Sequence, residues 1–166
     1  MADKKNISFS CTEYEDAGEL DSSDLELLKS ARKVAVNAYA PYSLFRVGAA
    51  LRLSSGRIIL GTNVENAAFP SGICAERTAI SHASSNYPDD KPVAMAIAAI
   101  DNSGDLTEDI VSPCGNCRQV IAEEEMRNGN TIRIIMSSKN KIRIVDKGGD
   151  LLPLQFSNIN LRSVLR

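Results

Sequence analysis

Tryptophan is absent from this 166-residue chain, histidine occurs once, and aromatic residues make up only 5% of it. A core without large rings suits a compact α/β domain filled by Ala, Val, Ile and Leu, and the length is that of one domain able to bury a real core. A basic stripe is missing as well, because 19 Lys and Arg are interspersed with 21 Asp and Glu for a formal net charge of −2. Proteins that live on phosphate contacts usually carry such a stripe, so no nucleic-acid partner is expected. The longest purely apolar run, Val93 to Ile100, is far too short to cross a bilayer, and no membrane partner is expected either. Met1 to Asn6 carries charges with no apolar stretch behind them, unlike a secretory signal. A cytoplasmic protein is expected, and in a reducing compartment thiols are more often metal ligands or catalysts than disulfides.

What is present begins with an acidic, aperiodic stretch, residues 1–20, expected to be a poorly ordered arm. Cys11 falls there and reads as a spare thiol. Ser23-Asp24-Leu25-Glu26 has the spacing of a capping box. Leu25, Leu28, Ala31, Ala35 and Ala38 then recur at helical intervals, which predicts a helix to about Tyr39, ended by Pro41. Val47, Ala49, Leu51 and Leu53 alternate as a strand; a Ser55-Gly56 turn leads to a second strand, Ile58 to Val64. A loop over Ala67 to Gly72 precedes a helix from Ala75 to about Ser84. Val93 to Ile100 is apolar throughout, the mark of a strand buried on both faces in a sheet's parallel centre. Gly115 to Met126 predicts a third helix, and Thr131–Ser137 and Lys141–Asp146 two more strands, before a tail with a last helical turn or two. No repeat, low-complexity tract or linker divides residues 21–166, so they are expected to form a single domain. This alternation builds a mixed sheet covered by helices, an α/β fold.

Three of the four cysteines lie in distinctive surroundings: Cys74-Ala75-Glu76 and Pro113-Cys114-Gly115-Asn116-Cys117. Together they can offer three thiolates to one metal. Structural zinc sites close all four positions, whereas catalytic ones leave one for water. His82 lies outside both motifs and Cys11 sits in the arm, so three protein ligands and one position for water is the economical count. Each motif also opens a predicted helix, where unpaired N–H groups and the positive end of the dipole favour thiolate. Three thiolates around a divalent zinc leave a net negative charge that weakens its Lewis acidity. Arg77 can offset that charge, although a solvated helix arginine is its other reading. Glu76, two residues from a ligand, can take a proton from a metal-activated water and pass it to a substrate nitrogen. A closed structural zinc site and a Cys114–Cys117 redox pair remain as alternatives, and neither requires Glu76.

Both motifs resemble those of the zinc-dependent cytidine deaminases, whose mechanistic class uses a zinc-activated water and a carboxylate proton shuttle. The resemblance runs from Ala38 to about Phe156 and includes Ala40-Pro41-Tyr42-Ser43-Leu44-Phe45-Arg46-Val47-Gly48-Ala49-Ala50, Asn63-Val64-Glu65-Asn66-Ala67 and Leu151-Leu152-Pro153 followed by Phe156. It implies a three-layer α/β/α sandwich on a mixed five-stranded sheet. It further implies one zinc ion per subunit on Cys74, Cys114 and Cys117, with Glu76 as the shuttle. Asn63 and Glu65 would hydrogen-bond the sugar hydroxyls, Phe45 would wall the base pocket, and Ala75 would present backbone groups to the base. Phe156 would reach a neighbouring subunit's site, since short members resemble homotetramers with shared pockets. By themselves Phe45 and Phe156 read as core aromatics, and Tyr42 as a buried or half-buried tyrosine. Gln119 would help orient the zinc shell, unless it is a plain surface position. The implied reaction is hydrolytic deamination of cytidine, and of deoxycytidine, to uridine or deoxyuridine and ammonia in pyrimidine salvage. An aminated nucleoside antibiotic such as blasticidin S is the rival substrate.

Overall fold

The computed structural model describes residues 2–162. In chain order its elements are β1 (Thr12–Tyr14), α1 (Ser22–Val34), β2 (Arg46–Leu53), β3 (Ile58–Thr62), α2 (Ala75–Asn86), β4 (Pro92–Ile100), α3 (Gly115–Asn128), β5 (Arg133–Ser137), β6 (Ile142–Val145) and α4 (Asn158–Arg162). The strands form one mixed sheet in the order β1-β6-β5-β4-β2-β3. Only β4 and β5 run parallel; the other pairs are antiparallel.

The sheet is sandwiched, and the period of β4 explains how. Ala94, Ala96 and Ala98 face α1 with Leu27, Leu28 and Ala31, while Met95 and Ile97 face α2 and α3 with Ala79, Ile80 and Ile121. Alternate residues of a strand point to opposite faces, so a run apolar at every position buries both. Small side chains on one face bring α1 close, and larger ones fill the other layer. Gly48 and Gly61 set how close the helices lie. A Cβ at Gly48 would sit 2.2 Å from the Ala31 carbonyl oxygen, and one at Gly61 would sit 2.4 Å from that of Ala75. Bare backbone at Gly61 therefore seats the start of α2 directly on β3.

Several boundaries differ from the sequence reading. The sheet has six strands rather than five, because Thr12–Tyr14 pairs with β6, where Glu13 ion-pairs with Arg143. Helix α1 starts at Ser22, capped by the Asp21 carboxylate, which accepts the Asp24 N–H at 2.8 Å. Ser23 lies inside the helix and accepts from Arg52 instead of capping. α1 stops at Val34 and a short 3-10 turn, Ala35–Asn37, follows, so the helix does not reach Tyr39. The backbone of Tyr39 is claimed elsewhere: its N–H donates to the Asn63 carbonyl at 3.2 Å and its carbonyl accepts from Glu65 at 2.8 Å. β3 ends at Thr62, and Val64 makes isolated bridges to Tyr39 and Ile73. The last four positions of the expected domain, 163–166, lie outside the described residues; within them α4 supplies the expected final turns.

Candidate active site

Two helix starts converge. Cys74 is the N-cap of α2, and Cys114 is the N-cap of α3, with Cys117 one turn in. Neither cap makes a side-chain capping hydrogen bond, so both sulfurs are left to face each other. The Cys74 and Cys114 sulfurs are 3.7 Å apart, those of Cys114 and Cys117 3.5 Å, and all three lie within 4.8 Å of one another. Tetrahedral zinc holding sulfurs at about 2.3 Å separates them by about 3.8 Å, so the cluster fits that ion. Among the described residues the group stops at three. His82 is exposed and stacks on Tyr87 at 6.3 Å, and Cys11 is exposed, so neither supplies a fourth ligand. The thiols act on one another as well. A hydrogen bond from Cys117 draws Cys74 down to about 6 against the opposing effect of burial, with the Arg77 charge adding to the fall. The same contact, with burial, pushes Cys117 up.

Glu76 is 4% exposed, and burial raises its carboxyl above the usual carboxylate range. It opens onto a cavity of about 480 Å³ whose lining also includes Phe45, Asn63, Glu65, Cys74, Ala75, Arg77 and Cys114. Segments far apart in the chain thus meet around one volume large enough for a nucleoside-sized molecule. Two of the predicted residues stay away from it. Phe156 is exposed and outside that lining, and the Gln119 amide donates to the Phe156 carbonyl at 2.8 Å rather than reaching the sulfurs. Phe45, Phe156 and Tyr42 are all exposed, so none is a core or buried aromatic.

The opposite wall is a hydrogen-bonded clamp. Asn63 Oδ1 accepts the Val47 N–H at 2.7 Å, and its Nδ2 donates to the Phe45 carbonyl at 2.9 Å. Glu65 Oε2 accepts the N–H groups of Tyr42, at 2.9 Å, and Ser43, at 3.3 Å, while Oε1 accepts the Ser43 hydroxyl. The Ser43 hydroxyl, then the Tyr42 N–H, hold the Glu65 carboxyl below its usual range. Sequence reasoning missed Ser43, although it lies in a segment that carried the resemblance. It also missed Arg118, whose guanidinium joins the Pro113 and Leu151 carbonyls at 2.8 and 3.1 Å and fixes the start of α3. Phe69 was missed too; it stands edge-on to Tyr42 at the cavity rim, with ring centroids 5.9 Å apart.

Known proteins match this arrangement. Residues 21–131 fit the family described as the cytidine and deoxycytidylate deaminase zinc-binding region. A cytidine deaminase of Halalkalibacterium halodurans is 44% identical over 97 residues, 58% of this chain and 68% of its own. One from Mycobacterium tuberculosis is 35% identical over 127 residues, 76% and 84% of the two chains. The crystal structure of cytidine deaminase from Burkholderia pseudomallei superposes with a TM-score of 0.67 at 35% identity, covering 79% of this chain and 97% of that one. With three converging sulfurs, a buried glutamate beside them and these relatives, the chain belongs to the zinc-binding cytidine and deoxycytidylate deaminase family.

Proposed function

We propose that this protein hydrolytically deaminates cytidine and deoxycytidine, in pyrimidine salvage, using Glu76 as proton carrier. The observation that carries the reading is a buried carboxylate beside a three-sulfur cluster, both open to one cavity with polar groups on its far wall. Cys74, Cys114 and Cys117 would hold zinc, whose Lewis acidity would bring the pKa of a water to roughly 7. Glu76 accepts a proton from the attacking water and delivers it to N3 of the pyrimidine as the water oxygen adds at C4. The same carboxylate then takes the proton of the new C4 hydroxyl and passes it to the departing amino group, so that cytidine and water give uridine and ammonia. Arg77 offsets the excess negative charge of three thiolates, Phe45 walls the base, and Ala75 offers it backbone groups.

Recognition of the sugar is counted from the clamp. Of the Asn63 amide, one Nδ2–H and one Oδ1 lone pair remain; of the Glu65 carboxylate, one lone pair on Oε1 remains. The Asn63 Nδ2–H and the Glu65 Oε1 lone pair are enough to grip one hydroxyl, so a 2′-deoxynucleoside still finds partners here. We further propose a cytoplasmic homotetramer with shared sites, in which Phe156 enters a neighbour's cavity. Exposed Phe156 on its own chain, and exposed Val36, Tyr39, Leu60, Val64 and Phe69, support it.

The test is to incubate the purified, zinc-replete protein with cytidine and follow the fall in cytosine-band absorbance, then repeat after chelation. Conversion that stops on chelation and returns with zinc is expected. Folded, metal-loaded protein that leaves cytidine unchanged overturns the reading.

A further inference from the structure

The clamp on the far wall closes on a serine that has no part in the chemistry above. Ser43 Oγ donates to Glu65 Oε1 and accepts the Phe45 N–H at 3.1 Å, while Asn63 holds the Phe45 carbonyl. Glu65, Ser43, Phe45 and Asn63 therefore form one chain of hydrogen bonds joining the sugar end of the cavity to its base wall. The turn is shaped for this contact. Leu44, between Ser43 and Phe45, has φ of 58°, a left-handed conformation unfavourable for leucine. Such a conformation persists where its surroundings over-determine it. Here they do: Glu65 takes both turn N–H groups and the serine hydroxyl, and the Leu44 N–H donates to the Ala40 carbonyl at 3.1 Å.

We propose that Ser43 is a positioning residue: its hydroxyl anchors Glu65 Oε1 and thereby sets how strongly the enzyme holds a sugar hydroxyl, without touching the reacting atoms. The inference rests on the nucleoside-deaminase reading above. A free carboxylate can rotate about its last bond; one pinned at both oxygens presents a single remaining lone pair in a fixed direction. A hydrogen bond to a charged group is stronger than a neutral one. Loss of the serine donor should therefore weaken substrates in proportion to what they offer Glu65.

The experiment compares kcat/KM for cytidine and for 2′,3′-dideoxycytidine, which lacks the 2′- and 3′-hydroxyls, in zinc-loaded wild type, Ser43→Ala and Ser43→Thr. In Ser43→Ala, kcat/KM for cytidine should fall about tenfold, mostly through KM, while that for dideoxycytidine moves by less than about twofold. Ser43→Thr keeps the hydroxyl and should recover most of the loss. Equal falls for both nucleosides, or no fall for cytidine, overturn the proposal, because a serine that merely holds the fold cannot distinguish them. Should Ser43→Ala fail to fold by its melting curve, Ser43→Cys keeps the size with a weak donor and must give the same split at smaller amplitude; parallel losses there overturn it equally. Wild type that converts neither nucleoside counts against the deaminase reading instead.

Discussion

Across the cavity, Cys74, Glu76 and Cys117 ride on the first turns of α2 and α3, while Phe45, Asn63 and Glu65 stand on loops. The first group is anchored by burial. Glu76 is 4% exposed, Ala75 and Cys117 are fully buried, and α2 lies against β3 with no side chain between them at Gly61. The second is anchored by side-chain to backbone hydrogen bonds, with Phe45 39% exposed. The difference follows from what each half must do. The metal ligands and proton carrier proposed here need fixed distances, which packed helix ends supply. A rim that admits and releases a substrate works with bonds that open individually.

That contrast can be broken in order of effect. Glu76→Gln keeps the shape but not the proton chemistry, so turnover should fall on the order of 10²–10⁴-fold while zinc content and ligand binding stay near normal. Steady-state kinetics and elemental analysis check this, and normal turnover would remove Glu76 from the mechanism. Gly61→Ala comes next. Its Cβ would meet the Ala75 carbonyl oxygen at 2.4 Å and the Ala79 nitrogen at 2.6 Å, both backbone, so α2 must shift. A loss of about 1–3 kcal/mol in denaturant stability is expected, with zinc affinity and activity falling as Cys74 and Glu76 are displaced. Gly72→Ala on the loop side, where the nearest atoms are carbonyl oxygens at 3.3 and 3.4 Å, should be milder on both counts. If Gly61→Ala proves the gentler of the two, the helix half is not the rigid one.

The smallest effect is one of pH. Glu65 is held below its usual range, so its hold on the 42–43 turn is complete above the ordinary carboxylate value of about 4.3 and is lost as pH falls through the lower folded-state value. Hydrogen exchange at Tyr42 and Ser43, corrected for the intrinsic pH dependence, should accelerate only below that range. Acceleration between neutral pH and about 5 would show that something other than Glu65 secures the turn.

The two halves also differed in how much of them could be read beforehand. The metal half was legible because its signals are local: a Cys-x-Glu and a Pro-Cys-x-x-Cys, each opening a helix whose periodicity is visible nearby. The clamp was not, because Ser43 meets Glu65 across 22 residues and nothing in its own neighbourhood announces the partner. The same reasoning covers the other differences. β1 is three residues without period, paired only because β6 offers an edge and Arg143 a counter-ion for Glu13. α1 ends early because Tyr39 finds better backbone partners at Asn63 and Glu65 than another helical turn provides.

Sequence alone therefore determined the α/β class, the three cysteines that cluster and the acid beside them, since spacing along one helix start is itself a geometric statement. Tertiary structure decided that two such starts meet, that six strands rather than five carry them, and which atoms of Asn63 and Glu65 are already engaged. Those outcomes depend on contacts between distant segments, where the backbone and side chains compete for partners that no local pattern records.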